Sequence, residues 1–325
     1  MPARTTFTCP LTTEQADKLQ RLLEEEGWSR AQKPHTLYAA TKDKTSVAIY
    51  QKGPKVLVQG KGTDDFVTFL LEPRILDQAL VGYEEVHHPE MFQPHIGIDE
   101  SGKGDFFGPL VIAAVYTDAS ITRTLMQAGV MDSKRITSDA RIRSLAETIR
   151  AAVGRGSAVV SISPAKYNEL LARFQNLNRL LAWGHATALE EVLHHIPDCP
   201  RAVSDQFADP RLLKSALKER GRAIELVSRT KAESDVAVAA ASILAREGLI
   251  NWLRKASERT GVTLPRGASG QVKEIARRMV EEQGPAALRD LAKTHFRTAH
   301  EVAPDFFPTT LQKPSLLNPE MKSPP

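Results

Sequence analysis

Cysteine is almost absent: the 325 residues hold only Cys9 and Cys199, far apart in the chain. That excludes a thiolate metal cage and argues against a disulfide framework, so any bound metal must be held by oxygen or imidazole. Long apolar runs are missing too. No stretch approaches the ~18 consecutive apolar residues of a membrane-spanning helix, and Met1-Pro2-Ala3-Arg4-Thr5-Thr6 lacks an apolar signal core, so a cytoplasmic protein without a membrane partner is expected. Aromatics are few, at 6%, while apolar residues reach 42% and charged residues 25%, the balance of a globular chain able to bury a core. At this length two domains are expected rather than one.

Acidic residues are scarce in one window. Arg30, Lys33, Lys42, Lys44, Lys52, Lys55 and Lys61 face a single acid, Asp43. The overall charge of +4 is modest, so this clustering says more than the total. It suits either a phosphate-tracking surface or an ordinary solvated face.

Residues 11–27 place Leu11, Ala16, Leu19, Leu22 and Leu23 at helical spacing and end on Gly27, which predicts an amphipathic helix. Three β-prone runs follow, at 37–40, 46–50 and 55–59, and Thr63-Asp64-Asp65 opens a second helix through Phe66 and Leu71. A compact α+β module over 1–75 is expected, with a proline-containing linker at 76–93. From 94 the elements lengthen. Strands are predicted at 95–100, 110–116 and 157–162, the three beginning a sheet in antiparallel fashion, then at 201–205 and 223–227. Helices are predicted near 164–173 and 178–195, over 235–257, and from Gln271 to His300. A domain at 94–303 is followed by a tail, 304–325, with six prolines, expected to be loosely draped.

The least expected feature is a carboxylate pair closing an apolar strand, Ile96-Gly97-Ile98-Asp99-Glu100. Burying such groups is costly unless they are paired, hydrogen-bonded or bound to cations. A strand-end salt bridge would account for the pair, and so would a metal. The next residues, Ser101-Gly102-Lys103-Gly104-Asp105-Phe106-Phe107-Gly108-Pro109, expose backbone amides and a lysine, though not in the order of a P-loop. Asp205 closes a strand and Glu233 precedes the long alanine-rich helix, repeating the placement. Four carboxylates converging on one sheet edge would suit Mg²⁺ or Mn²⁺, and two such ions can cleave a phosphodiester.

The segment 97–110 resembles the signature of the type 3 ribonuclease H family. Further matches run in order through Asp132-Ser133-Lys134, Lys166-Tyr167-Asn168, Asp205-Gln206-Phe207-Ala208, Lys231-Ala232-Glu233-Ser234, residues 239–246 and 264–269, and Lys293-Thr294-His295-Phe296, spanning nearly all of 95–300. The resemblance implies an α/β, RNase H-like catalytic domain, a mixed sheet flanked by helices, with an N-terminal α+β module similar to a TATA-box-binding-protein repeat. It implies endonucleolytic cleavage of the RNA strand of RNA/DNA hybrids with two Mg²⁺ or Mn²⁺ ions. The family's catalytic metal ligands fall on Asp99, Glu100, Asp205 and Glu233.

The stretch after Glu233 is a residue short of the expected spacing, which leaves Asp235 as a rival ligand. By the same resemblance Gly102, Lys103 and Gly104 would meet the 2′-hydroxyls and phosphates of RNA. Lys134 would add a phosphate contact, and Tyr167 and Asn168 would touch the substrate or else belong to the core. His295 and Phe296 are expected to seal the last helix. A type 2 enzyme acting at single embedded ribonucleotides is the alternative, disfavoured by Gly-Lys-Gly where Gly-Arg-Gly is usual and by the N-terminal module. A non-catalytic hybrid-binding protein would have lost some of the four acids. A monomer without an obligate protein partner is expected.

Overall fold

The computed structural model describes residues 5–76, 88–130, 133, 136–205, 210–229 and 232–308. The chain divides into two compact units, Met1–Glu90 and Met91–Pro325.

In the first unit a five-stranded antiparallel sheet has the order β1-β5-β4-β3-β2. Its strands are β1 (Thr6–Pro10), β2 (Ser29–Arg30), β3 (Thr36–Lys42), β4 (Thr45–Tyr50) and β5 (Lys55–Gly60). Helix α1 (Thr13–Glu25) starts where a capping box permits: Thr12 Oγ accepts from Gln15 N at 3.1 Å and the Gln15 side chain accepts from Thr12 N at 2.9 Å. Leu11, expected inside the helix, therefore precedes it, yet is buried. Ala16, Leu19, Leu22 and Leu23 pack on Val47, Ile49, Val56 and Val58 of the sheet, as the spacing predicts. The second helix is regular only over α2 (Thr63–Phe66) and continues as wider π-type winding through Val67–Leu76. Pro73 lies in that stretch, lacking an amide and crowding the preceding turn. Strand β1 was not anticipated, since five residues ending in proline offer no alternation, and its ladder with β5 comes from tertiary pairing.

The second unit is built on a mixed sheet of order β10-β9-β6-β7-β8. Strands β6 (His95–Ser101), β7 (Leu110–Thr117) and β8 (Ser157–Ile162) pair antiparallel, whereas β9 (Arg201–Asp205) and β10 (Glu225–Arg229) run parallel to β6. Strand β10 begins two residues later than the sequence suggests. Strand β7 is apolar without alternation because both faces are covered. Val111, Ala113 and Val115 meet one core, while Leu110, Ile112 and Ala114 meet the other.

Among the described residues two helices stand between β7 and β8, α3 (Ala119–Ala128) and α4 (Asp139–Val153). Helices α5 (Pro164–Phe174) and α6 (Leu177–His195) cover the second face. Helix α7 (Pro210–Ala216) precedes β10, and α8 (Val236–Thr260) lies across the first face, followed by α9 (Gly270–Gln283) and α10 (Arg297–Val302). Helix α8 has the length and apolarity of a membrane span, but 72% of its most apolar window is buried inside the protein, as a core helix requires. Of the proline-rich tail, Phe307 is buried in the first-face core with Phe306 packed against it, so residues up to 308 are structured rather than draped.

Strand β6 and helix α8 approach unusually closely. A Cβ at Gly97 would fall 2.2 Å from Ala237 C and Val238 N. Only glycine admits the helix here, and the buried alanines of α8 extend the close contact. The start of the helix is thereby pressed against the strand that ends in Asp99 and Glu100.

Candidate active site

Alternation along β6 sends Asp99 the same way as Gly97, toward α8, and Glu100 the same way as Ile98, toward α6. Their partners agree. The Ser242 hydroxyl of α8 hydrogen-bonds the Asp99 carboxylate, whose Oδ1 also accepts from Glu100 N at 2.8 Å. Glu100 Oε2 lies 3.0 Å from Nε2 of His185, a fully buried residue of α6, and Oε1 lies 3.6 Å from Lys103 Nζ. Burial, then the neighbouring Glu100 charge, pushes the Asp99 carboxyl up to about 7. Burial also works against ionised Glu100, but the His185 hydrogen bond and charge, with Lys103, outweigh it and hold that carboxyl below its ordinary value.

Asp205 ends β9, the parallel neighbour of β6. The pairing Gly97↔Val203 and Ile98↔Ser204, carried one residue further, sets Asp205 level with Asp99 on the adjoining strand. Glu233 sits in the short turn Ala232–Ser234 just before α8. Asp235 is fully committed elsewhere. As N-cap of α8 its Oδ1 accepts from Ala237 N (2.9 Å) and Val238 N (3.4 Å), and it also meets His95 Nε2 at 2.9 Å, while Oδ2 lies 3.4 Å from Arg229. Both members of the His95–Asp235 pair are buried. Among the described residues no group of three or more His, Cys, Asp or Glu side chains gathers into a metal cage. The donor set nonetheless fits a hard divalent cation: a carboxyl at about 7 beside an ionised neighbour is an anionic pocket short of positive charge.

The glycine-rich loop leaves the same strand. Gly102 has φ +89°, and a Cβ there would meet Pro109 O at 2.2 Å, so the loop closes tightly on itself. Gly104 is different: its φ is ordinary and a Cβ would meet nothing within 4 Å. Nothing in the fold demands glycine at 104, which directs attention to something approaching from outside. Lys103 is half-buried between them.

A family model described as Ribonuclease HII matches residues 96–299. Ribonuclease HIII of Chlamydia trachomatis serovar L2 is 41% identical over 298 residues, covering 91% of this chain and 97% of that protein. Ribonuclease HIII of Protochlamydia amoebophila is 41% identical over 292 residues, covering 90% and 95%. The chain belongs to the ribonuclease HIII family. Among solved structures, Bst-RNase HIII in complex with Mn²⁺ matches with a TM-score of 0.63 at 27% identity, over 92% of this chain and 98% of that one. Aquifex aeolicus RNase H3 matches at 0.51 and 25%, over 88% and 98%.

Two expected substrate contacts of this ribonuclease HIII chain are corrected by their surroundings. Tyr167 is fully buried in the second-face core and offers no surface to a ligand. Asn168 spends its amide on protein: Nδ2 donates to Arg289 O (3.3 Å) and Ala292 O (3.0 Å), and Oδ1 accepts from Thr294 N (2.9 Å). Lys134 lies outside the described residues, but Ser133 beside it shares a 2.6 Å hydrogen bond with Ser242, linking that segment to the Asp99 pocket. His295 packs against the Tyr167 ring with centroids 5.4 Å apart, and Phe296 meets Phe106 edge-on at 6.1 Å.

Sequence reasoning missed His185 and the role of Ser242. A histidine within an apolar helix is ordinarily a core residue, and only the 85-residue separation closed by the fold makes it a partner of Glu100. Ser242 did carry a signal, being the one polar residue in Ala239-Ala240-Ala241-Ser242-Ile243-Leu244.

Proposed function

We propose that this ribonuclease HIII chain hydrolyses the RNA strand of RNA/DNA hybrids as an endonuclease, leaving 5′-phosphate and 3′-hydroxyl ends. Asp99, Glu100, Asp205 and Glu233 hold two ions, Mg²⁺ or Mn²⁺. The observation that carries this is the placement of Asp99 beside Glu100 and level with Asp205, with its carboxyl displaced to about 7. The commitment of Asp235 to the helix cap and His95 favours Glu233 as the fourth ligand. Ribonucleases H depend on divalent metal, and the Mn²⁺ complex of Bst-RNase HIII supports the same chemistry here. An incomplete protein cage suits ions that retain several waters.

Bound ions supply Lewis-acid activation of the attacking water and shield charge at the leaving oxygen. The chain's own contributions are positional. His185 and Lys103 orient Glu100, Ser242 orients Asp99, and the open flank of Gly104 lets backbone approach the 2′-hydroxyl by which RNA differs from DNA. The exposed lysines 42, 44, 52, 55 and 61 of the first unit suit contact with hybrid phosphates. A monomeric, cytoplasmic enzyme fits this reading.

Asp99→Asn tests it: cleavage of a uniform hybrid is expected to vanish while hybrid binding persists. Undiminished turnover would overturn the assignment. Strong preference for a duplex carrying one embedded ribonucleotide would move the enzyme to type 2 behaviour, and hybrid binding without metal-dependent cleavage would mark a non-catalytic binder.

A further inference from the structure

The far side of the glycine-rich loop is held by one short segment. Gly108 N donates to Leu291 O at 2.9 Å, Lys293 N donates to Phe106 O at 2.9 Å, and Phe107 pairs with Ala292 in an isolated antiparallel bridge. Into this seam the Lys293 side chain is completely buried, its Nζ donating to Asp105 O at 2.8 Å and Gly108 O at 2.6 Å, with the Tyr167 ring 5.7 Å away. One residue thus satisfies the carbonyls of 105, 106 and 108. The segment is fixed in turn from α5, through the three hydrogen bonds of Asn168.

A buried ammonium is a costly filler. Burial, only partly offset by the nearby Asp105 charge, pulls Lys293 down to about 7. A methionine would fill similar space without desolvating a charge, but would leave two buried carbonyls without a donor. The cost is offset where the direction of those carbonyls matters, and they lie directly downstream of the turn at 102–104. Asp105 closes that turn, its N donating to Gly102 O at 3.2 Å, and its Oδ1 accepts from Gly267 N at 2.5 Å. Asp99 and Glu100, by contrast, are fixed by the β6–β7 ladder, Ser242 and His185, none of which involves Lys293.

We propose that Lys293 is a positioning residue for substrate recognition, fixing the path of Asp105–Gly108 and through it the Gly102-Lys103-Gly104 turn that meets the RNA strand. This rests on the reading of that turn given above. The test combines Lys293→Met with steady-state cleavage of a fluorescent hybrid, calorimetric titration of the metal-free protein with Mn²⁺, and thermal melting. KM is expected to rise roughly tenfold or more, with kcat less affected and the Mn²⁺ dissociation constant within about twofold of wild type, since the carboxylates are held independently.

An unchanged KM would overturn the proposal, as would a rise in KM matched by equal losses of kcat and metal affinity, which a general loosening of the fold would produce. Gly104→Val separates the proposal from its premise. If it leaves KM unchanged, the reading of the turn has failed; if it raises KM while Lys293→Met does not, the role of Lys293 alone is refuted. Should Lys293→Met not fold, Asn168→Ala carries the test by freeing 289–294 with Lys293 still present. A smaller rise in KM is then expected, and an unchanged KM in that folded variant overturns the proposal.

Discussion

His185 Nε2 lies 3.0 Å from Glu100 Oε2, joining a fully buried imidazole on α6 to a carboxylate at the end of β6. Glu100 is a metal ligand in the proposed site, and loss of such an outer partner typically weakens metal affinity ~10–100-fold. His185→Ala is therefore expected to raise the Mn²⁺ dissociation constant by that order, read by calorimetry on the metal-free protein. His185→Gln, which keeps a donor, is expected to recover part of it. Equal affinity in wild type and His185→Ala would show that Glu100 needs no such tether.

The carboxyl of Asp99 makes metal binding a proton-linked event. Its folded value, about 7, stands above the ordinary 3.8. The unfolded chain therefore releases this proton first, and the metal-free fold loses stability as pH rises from about 4 through 7. Two measurements follow from that sign. Mn²⁺ binding near pH 6 is expected to release close to one proton from this group, and near pH 8 almost none, which calorimetry in buffers of differing ionisation heat resolves. Asp99→Asn, inactive as an enzyme, is expected to melt higher than wild type at pH 8 without metal, by on the order of 1–3 kcal/mol, and to show little advantage at pH 4. A lower melting point at pH 8 would contradict the burial-driven displacement.

The carboxylate pair was legible because acids closing an apolar strand break the binary pattern, and the antiparallel start of the sheet was legible from three successive apolar runs, although α3 and α4 separate the second from the third. What surrounds the pair was not. Glu100 meets His185 across 85 residues and Asp235 meets His95 across 140, separations that no local period encodes. Asp235 stood as a rival ligand because the stretch after Glu233 is a residue short, and only its place as N-cap of the helix starting at Val236 shows where its carboxylate is spent. Tyr167 shows the same limit from the other side: an amphipathic residue early in a helix reads alike whether it faces solvent or core, and here the core takes all of it.

Gly97 and Gly104 are predicted to respond oppositely to substitution. At Gly97 a methyl would stand 2.2 Å from the backbone of α8, which cannot yield without shifting the helix from the strand. Gly97→Ala should lower stability by ~2–3 kcal/mol or more, seen as a reduced denaturant midpoint. At Gly104 a methyl meets nothing, so Gly104→Ala should leave the midpoint unchanged and weaken hybrid binding instead. Equal stability of Gly97→Ala and wild type would refute the close helix–strand contact.

Asp235 and Glu233, two residues apart, can be separated by pairing a melt with an activity assay. Removing Asp235 strips the cap from α8 and leaves the buried His95 Nε2 without its hydrogen-bond partner, each a recognised source of instability. Asp235→Ala is expected to cost ~2–5 kcal/mol, a loss expressed in the melting temperature whether or not metal is present. Glu233→Gln keeps the size of its side chain and leaves the Asp235 cap and its His95 hydrogen bond in place, so its melting temperature should stay near wild type while hybrid cleavage falls by orders of magnitude. If instead Glu233→Gln cleaves normally, and a residual folded fraction of Asp235→Ala cannot bind Mn²⁺, the acid that caps the helix would also be the fourth ligand. The Lys-Ala order in front of Glu233 would then have misled and the one-residue shortfall in spacing would have pointed to the right acid, because a helix cap and a metal ligand require the same residue type in the same place.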